Sequence, residues 1–349
     1  MTSKIDHISQ FVIDLITENN SISTKEIFQS LNNEVSVATL KRTLLQLVKK
    51  QLIVANGKGK STTYSLSKSY QILNTIDIDK YFEQEIDERK IKSSYDFDLI
   101  NGFLEDFSIF TEEELTTLTI LNDTYLKNIA ELSKVTYDKE LERLAIDLSW
   151  KSSQIEGNTY SLLETELLLR EKQTAKGKTK DEAVMLLNHK DTLDFIIENQ
   201  DFILPISISK IEMIHSLLIK ELGISRNIRI RKVGISGTNY VPLDNDFQIR
   251  EALEQTCEVV NKRTSIFEKA FLSLILLSYI QPFEDGNKRT ARIISNAILI
   301  QGKHCPISFR TVDSIEYKKA MLIFYEQNNI SAFKKIFIQQ FEFAVKTYF

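Results

Sequence analysis

Turn-forming residues are scarce in this chain of 349 residues: it has four prolines, 10 glycines and a single tryptophan. An all-β protein needs a turn every 8–12 residues or so, and that punctuation is missing, so a mainly α fold is expected. Cysteine is nearly absent too. Cys257 and Cys305 are the only two, neither sits in metal-ligand or redox spacing, and a reducing cytoplasm fits them. Residues 1–14 contain no basic region followed by an apolar stretch, so no signal peptide is read. The most apolar segment, 270–280, is shorter than the about 20 residues a bilayer-spanning helix takes. A cytoplasmic protein with no membrane partner is the expectation. Nor is there an excess of either charge: 44 Lys and Arg stand against 48 Asp and Glu, a net charge of −4. Such a balance excludes a global polyanion partner, and any nucleic-acid contact has to be local. With 42% apolar residues, the chain has room for two or three domains and at least one large core.

The first 70 residues carry a pattern of their own. Residues 4–17 place Ile5, Ile8, Phe11, Val12, Leu15 and Ile16 on one helical face. Ser23 with Glu26 is a capping box that starts a second, short helix, and Ser36 caps a third, with Val37, Leu40, Leu44, Leu47 and Val48 inward. Residues 52–54 and 62–66 then read as two strands around a glycine turn. Three helices followed by a hairpin resemble a winged helix-turn-helix. Its third helix would expose Thr39, Lys41, Arg42, Gln46, Lys49 and Lys50, and its wing would carry Lys58 and Lys60, where phosphate contacts with DNA are made. Protein contact or dimerisation is the other use of such a unit, so DNA and a homodimer both remain candidate partners. Residues 71–137 supply aromatic and aliphatic anchors among acidic residues, among them Phe103, Leu104 and Phe107. They read as a helical adaptor, with a Thr111/Glu114 capping box.

The stretch 279–292, Tyr-Ile-Gln-Pro-Phe-Glu-Asp-Gly-Asn-Lys-Arg-Thr-Ala-Arg, carries the chemistry. An apolar helix breaks at Gln281-Pro282, and a new helical pattern starts at Lys288, so the loop between them lies at a helix N-terminus. First-turn N–H groups there lack intrahelical acceptors and sit at the positive end of the dipole, which favours phosphate. Gly286 lets a ligand approach the backbone. Arg289 and Arg292 are neighbours on one helix face, as are Lys288 and Arg292, so cations converge on one pocket. Asp285 is a hard oxygen ligand for a Mg²⁺ that bridges phosphates, and Asn287 offers an amide donor. A solvated polar loop between two core helices is the alternative reading.

From Pro282 to Arg289, and on to Arg292, the stretch resembles the active-site motif of the Fic (Fido) family, His-Pro-Phe-x-(Asp/Glu)-Gly-Asn-(Gly/Lys)-Arg followed by x-x-Arg. The resemblance implies an ATP site in an all-α core. In that family the histidine is the general base for adenylylation, the transfer of AMP from ATP–Mg²⁺ to a protein hydroxyl. Gln281 stands at that position, and glutamine takes no proton near neutral pH, so transfer is expected to be weak or lost. The resemblance implies catalytic positions Gln281, Asn287 and Arg289, cofactor contacts from Gly286, Asn287, Lys288, Arg289 and Arg292, and a Mg²⁺ on Asp285. Lys288 leaves AMP or phosphate open as the transferred group. Residues 152–158 resemble the family's inhibitory motif, (Ser/Thr)-x-x-x-Glu-(Gly/Asn). By that resemblance Glu156, with Ser152 and Gly157, pairs with Arg292 and blocks the pose that places the γ-phosphate against it.

Residues 228–240 alternate apolar and basic around Gly234 and Gly237, a hairpin signal that resembles the family flap on which a target protein docks. His215 lies on an apolar stripe behind a Ser209/Glu212 capping box and reads as a core histidine. The expected organisation is a winged helix-turn-helix over 1–70, an adaptor over 71–137 and a Fic (Fido) domain over 138–349, with its inhibitory helix near 138–157. Two functions compete: an adenylyltransferase restrained by Glu156, and a non-catalytic, nucleotide-sensing, DNA-binding transcriptional regulator.

Overall fold

The computed structural model describes residues 7–32, 35–104 and 108–349, without the side chains of 60 and 101–104. These divide between Thr75 and Ile76 into two compact units. The fold is mainly α, with one small sheet.

In the first unit, α1 (His7–Asn19) is followed by β1 (Ile22–Ser23), α2 (Thr24–Ser30) and α3 (Val37–Lys49). The helices close over Val12, Ile16, Ile27, Leu40, Leu44 and Leu47. Ser23 and Glu26 make the reciprocal capping box, since the Ser23 N–H donates to the Glu26 carboxylate at 2.8 Å and the Glu26 N–H to the Ser23 hydroxyl at 3.3 Å. Ser36 caps α3 through the Thr39 N–H. β2 (Ile53–Asn56) and β3 (Thr63–Leu66) pair antiparallel, with Val54 opposite Ser65, and α4 (Lys68–Leu73) ends the unit. The sheet order is β1-β3-β2. β1 is too short for any periodicity to register in sequence; it exists because β3 offers it a free edge. On α3, Val37 is 45% exposed rather than inward, and Thr39, tied to the cap, is half-buried rather than exposed. Residues 4–6 of the expected first helix, the Lys60 side chain of the wing, and the side chains of Phe103, Leu104 and Phe107 lie outside the described residues.

The second unit runs through α5 (Ile78–Phe82), α6 (Phe97–Leu104), α7 (Glu112–Glu131), α8 (Lys134–Ile155), α9 (Leu162–Glu171), α10 (Lys180–Glu198), α11 (Ile208–Leu218), α12 (Asp246–Lys262), α13 (Ile266–Ile280), α14 (Asn287–Gln301), α15 (Ser314–Gln327) and α16 (Ser331–Tyr348). α13 is its axis. Residues 270–280 are all buried, as an all-round apolar helix must be. α13 packs on α12, α14 and α15, while α14 reaches α8, α10 and α11. The loop joining α13 to α14 therefore sits on the most constrained helix pair in the unit.

Two local expectations fail for tertiary reasons. α11 starts behind Ser207, not Ser209, because the Asn261 side-chain amide pairs with both the N–H and the C=O of Ile206 at 2.9 Å and fixes where the chain enters the helix. The hairpin over 228–240 does not form: no strand is assigned there, and one isolated parallel bridge joins Ser94 to Val241. Its backbone is engaged elsewhere. The Arg229 N–H donates to the Pro282 carbonyl at 3.0 Å, and Arg229 turns inward while Ile230 is 73% exposed, the reverse of what the alternation implied.

Candidate functional site

The α13–α14 loop is shaped by four devices. Gln281 ends α13 in the left-handed region, at φ 51°, and its N–H bonds back to the Leu277 carbonyl. Gly286 is also left-handed, at φ 80°, where a side chain is strained, and an added Cβ would lie 3.3 Å from Ile219. Asn287 clasps the loop from α14: its Oδ1 accepts from the Phe283 N–H and its Nδ2 donates to the Phe283 carbonyl, both at 2.8 Å. His215 stacks flat on Phe283, ring centroids 3.6 Å apart, with Nε2 3.0 Å from the Asp285 carbonyl. A carbonyl only accepts, so that nitrogen carries the proton. Burial holds the imidazole down at about 4, so it is neutral at pH 7. The expected core histidine is thus also the rear wall of the loop. The Asn287 side chain, expected to reach a ligand, also braces the loop with both of its polar atoms.

Beside this loop lies a cavity of about 540 Å³ that brings together Glu156, Gln281, Asp285, Gly286, Asn287, Lys288 and Arg289, with the 233–237 segment and α15 as further walls. No side chain caps the N-terminus of α14. Arg289 is 1% exposed and its Nη2 pairs with Asp285 at 3.2 Å; its Nε and Nη1 are buried with no hydrogen-bond partner among the described residues. Buried, unpaired donors on a permanent cation are costly and mark a place for an anion. Burial holds the Arg289 guanidinium below its ordinary value.

Arg292 differs. It is fully buried and does not line the cavity. Its Nε donates to the Ser152 hydroxyl and its Nη2 to the Ser152 carbonyl, each at 2.8 Å; Nη1 reaches the Tyr317 hydroxyl at 3.2 Å. The cavity side is taken by Glu156, whose Oε1 accepts from Arg292 Nη2 at 2.9 Å while its Oε2 lies 3.5 Å from Lys288 Nζ. Burial pushes the Glu156 carboxyl up, but Arg292 and then Lys288 outweigh it and hold the group below its ordinary value, ionised at neutral pH. Glu156 is the C-cap of α8, and Gly157 turns the chain away at φ 101°. Ser152, Glu156 and Arg292 are therefore one cluster, with Glu156 standing between the guanidinium and the cavity.

Asp285 accepts from the Gly286 N–H at 2.6 Å, and its side chain is 63% exposed. Among the described residues no group of three His, Cys, Asp or Glu side chains is arranged to hold a metal. One exposed carboxylate beside a phosphate-sized donor set nonetheless fits Mg²⁺, which keeps most of its waters and shares its shell with substrate phosphates.

Gln281 is 8% exposed, and its side-chain amide donates to the Ser278 carbonyl at 2.7 Å and to the Tyr325 hydroxyl at 3.4 Å. Among the described residues no histidine lines the cavity. Sequence reasoning missed Arg229, which is 2% exposed and gathers the carbonyls at the end of α13: Nε donates to Gln281 O at 2.6 Å, Nη2 to Ile280 O at 3.3 Å, and Nη1 to Arg231 O at 2.8 Å. A cation at a helix C-terminus is favoured by the dipole and satisfies orphaned carbonyls. Its one sequence signal was an arginine inside an apolar alternation. Tyr317 and Tyr325 on α15 were missed as well, being distant in the chain.

The Fic/DOC family model matches residues 205–299, which span α11 to α14 and hold the loop. The chain is 31% identical over 180 residues to the protein adenylyltransferase Fic of Nematostella vectensis, covering 48% of this chain and 40% of that protein. It is 26% identical over 172 residues to protein adenylyltransferase fic-1 of Caenorhabditis elegans, covering 47% and 33%. The chain thus spans less than half the length of these relatives. Among solved structures, Fic-1 from C. elegans superposes with a TM-score of 0.56 at 19% identity, over 68% of this chain and 72% of that one. A Fic domain containing signaling protein from Bacteroides thetaiotaomicron gives 0.57 at 19%, over 66% and 94%. At such identities these two speak for the fold alone. Over residues 205–299, the chain is thus similar to the Fic/DOC family.

Proposed function

We propose that the cavity binds ATP with Mg²⁺, in a site built for AMP transfer to a protein hydroxyl and restrained by Glu156. The observation that carries this is Arg289: two buried donors without partners, beside an uncapped helix N-terminus, suit the oxygens of a phosphate chain. Gly286 keeps the loop backbone open to that chain, and Lys288 adds a cation that also touches Glu156. Asp285 would hold Mg²⁺, which when bound neutralises phosphate charge. Arg292 is the natural partner for a further phosphate but is occupied by Glu156, so that phosphate and carboxylate compete for one guanidinium. A target hydroxyl would approach along 228–240. The relatives named protein adenylyltransferase support the class of reaction.

Transfer itself is weakened by Gln281, since a missing general base lowers a rate by about 10²–10⁴. That residue favours a second reading, a nucleotide sensor without chemistry that governs DNA binding by the first unit as a winged helix; Lys41, Arg42, Gln46 and Lys49 on the exposed face of α3 are its support. Incubation with α-labelled ATP, Mg²⁺ and a cell lysate separates the two. Label transferred by Glu156→Gly rejects the sensor-only reading. Label that needs Gln281→His as well means a competent scaffold without its base, and no label from the double variant rejects adenylylation.

A further inference from the structure

The 233–237 wall of the cavity has no strand partner, yet it is held in place from outside. The segment 81–96 makes three hydrogen bonds with the chain at the end of that wall and just beyond it. Arg89 Nη2 donates to the Gly237 carbonyl at 3.0 Å, the Asn239 amide donates to Asp87 Oδ1 at 2.9 Å, and the Val241 N–H donates to the Ser93 carbonyl at 2.9 Å. The first of these is part-buried, whereas the Asn239–Asp87 bond is exposed. Arg89 is 3% exposed at its side chain, and its other amino nitrogen, Nη1, lies 3.1 Å from both carboxylate oxygens of Glu326, itself 1% exposed. Glu326 belongs to α15, which forms another wall of the same cavity through Met321, Leu322 and Tyr325.

A guanidinium serves the carboxylate with one nitrogen and the carbonyl with another, held in a rigid planar fork, whereas an ammonium carries all its donors on a single nitrogen. Gly237 turns its carbonyl toward Arg89 from a left-handed backbone, φ 90°, and an added Cβ there would lie 3.3 Å from Leu322. Two cavity walls far apart in sequence are thus joined through one side chain that belongs to neither.

We infer that Arg89 is a positioning residue: by tying Gly237 to Glu326 it fixes the 233–237 wall against α15, and so sets the width of the cavity between them. This follows from the cavity's construction and does not depend on which molecule fills it. Two variants cut the Gly237 arm in different ways. Arg89→Lys keeps a cation for Glu326, and the double variant Arg89→Met with Glu326→Met removes the buried pair without stranding a charge. Amide hydrogen exchange on the ligand-free full chain reads the outcome at Val241 and Tyr240. Loss of a charge-assisted hydrogen bond predicts exchange at least about tenfold faster at these amides in both variants, with the amides of α13 and α14 unchanged. If Arg89→Lys does not fold, the double variant carries the test. Exchange at Val241 and Tyr240 that stays at the wild-type rate, or that quickens only together with the whole second unit, overturns the inference, because Arg89 would then be ordinary structural packing.

Discussion

Arg289 offers a prediction in which stability and binding move in opposite directions. The perturbation is Arg289→Met, which keeps most of the side-chain length and removes the charge and its donors. In the free protein Arg289 has two buried donor nitrogens with no partner among the described residues and an ion pair to Asp285, whose side chain is 63% exposed. An unmade hydrogen bond at a buried group costs about 1–3 kcal/mol, so two cost about 2–6. A pair to a solvated carboxylate returns only ~1 kcal/mol at most, and the change of shape to methionine loses about 1 kcal/mol. The variant should therefore be more stable by about 0–4 kcal/mol, a rise in Tm of up to several degrees at about 2–4 °C per kcal/mol for a large domain. Thermal melts followed by circular dichroism measure this, and calorimetry on the same preparation should find ATP–Mg²⁺ affinity lowered by at least about 100-fold, the worth of two charge-assisted bonds. A lower Tm in Arg289→Met would refute the reasoning, since Arg289 would then be satisfied inside the protein and not waiting for an anion.

Arg229 should behave in the opposite way. Its arms are all used, so Arg229→Met strands the carbonyls of Ile280 and Gln281 and should cost about 2–5 kcal/mol in urea unfolding; an unchanged midpoint contradicts its role as the loop's clamp. His215 should make stability fall with acid. Its folded-state value of about 4 lies below the ordinary 6.5, so its contribution is fully present above pH 6.5 and is lost as pH falls toward 4. Wild type should lose about 2–3 kcal/mol more than His215→Gln between pH 7 and pH 4.5. Equal losses for the two proteins in unfolding titrations would show that the imidazole is not held neutral.

What was legible in the sequence follows a physical division. Ser23 with Glu26 and Thr111 with Glu114 were readable because a capping box is complete within four residues. The α13–α14 loop was readable for the same reason: Gly286, Asn287, Lys288 and Arg289 act within one turn of each other. The Ser152, Glu156 and Arg292 cluster joins two distant segments, and it was anticipated only because a motif resemblance paired them. Arg229, Tyr325 and Arg89 act through contacts that tertiary packing creates, and nothing local announces them. The 228–240 segment shows how pattern misleads: alternation predicts strands when polar residues face water, and here Arg229 is drawn inward by the bare carbonyls at the end of α13 while Ile230 is left outside.

The contest between Glu156 and a phosphate for Arg292 is the centre of the account, and isothermal titration of ATP–Mg²⁺ into wild type and Glu156→Gln measures it most directly. Displacing one charge-assisted hydrogen bond is worth about 1.5–3 kcal/mol, so Glu156→Gln should bind ATP about 10–100-fold more tightly. Both proteins should bind. Equal affinities, or no heat from either protein, would contradict the claim that this cavity is a nucleotide site with Glu156 as its restraint.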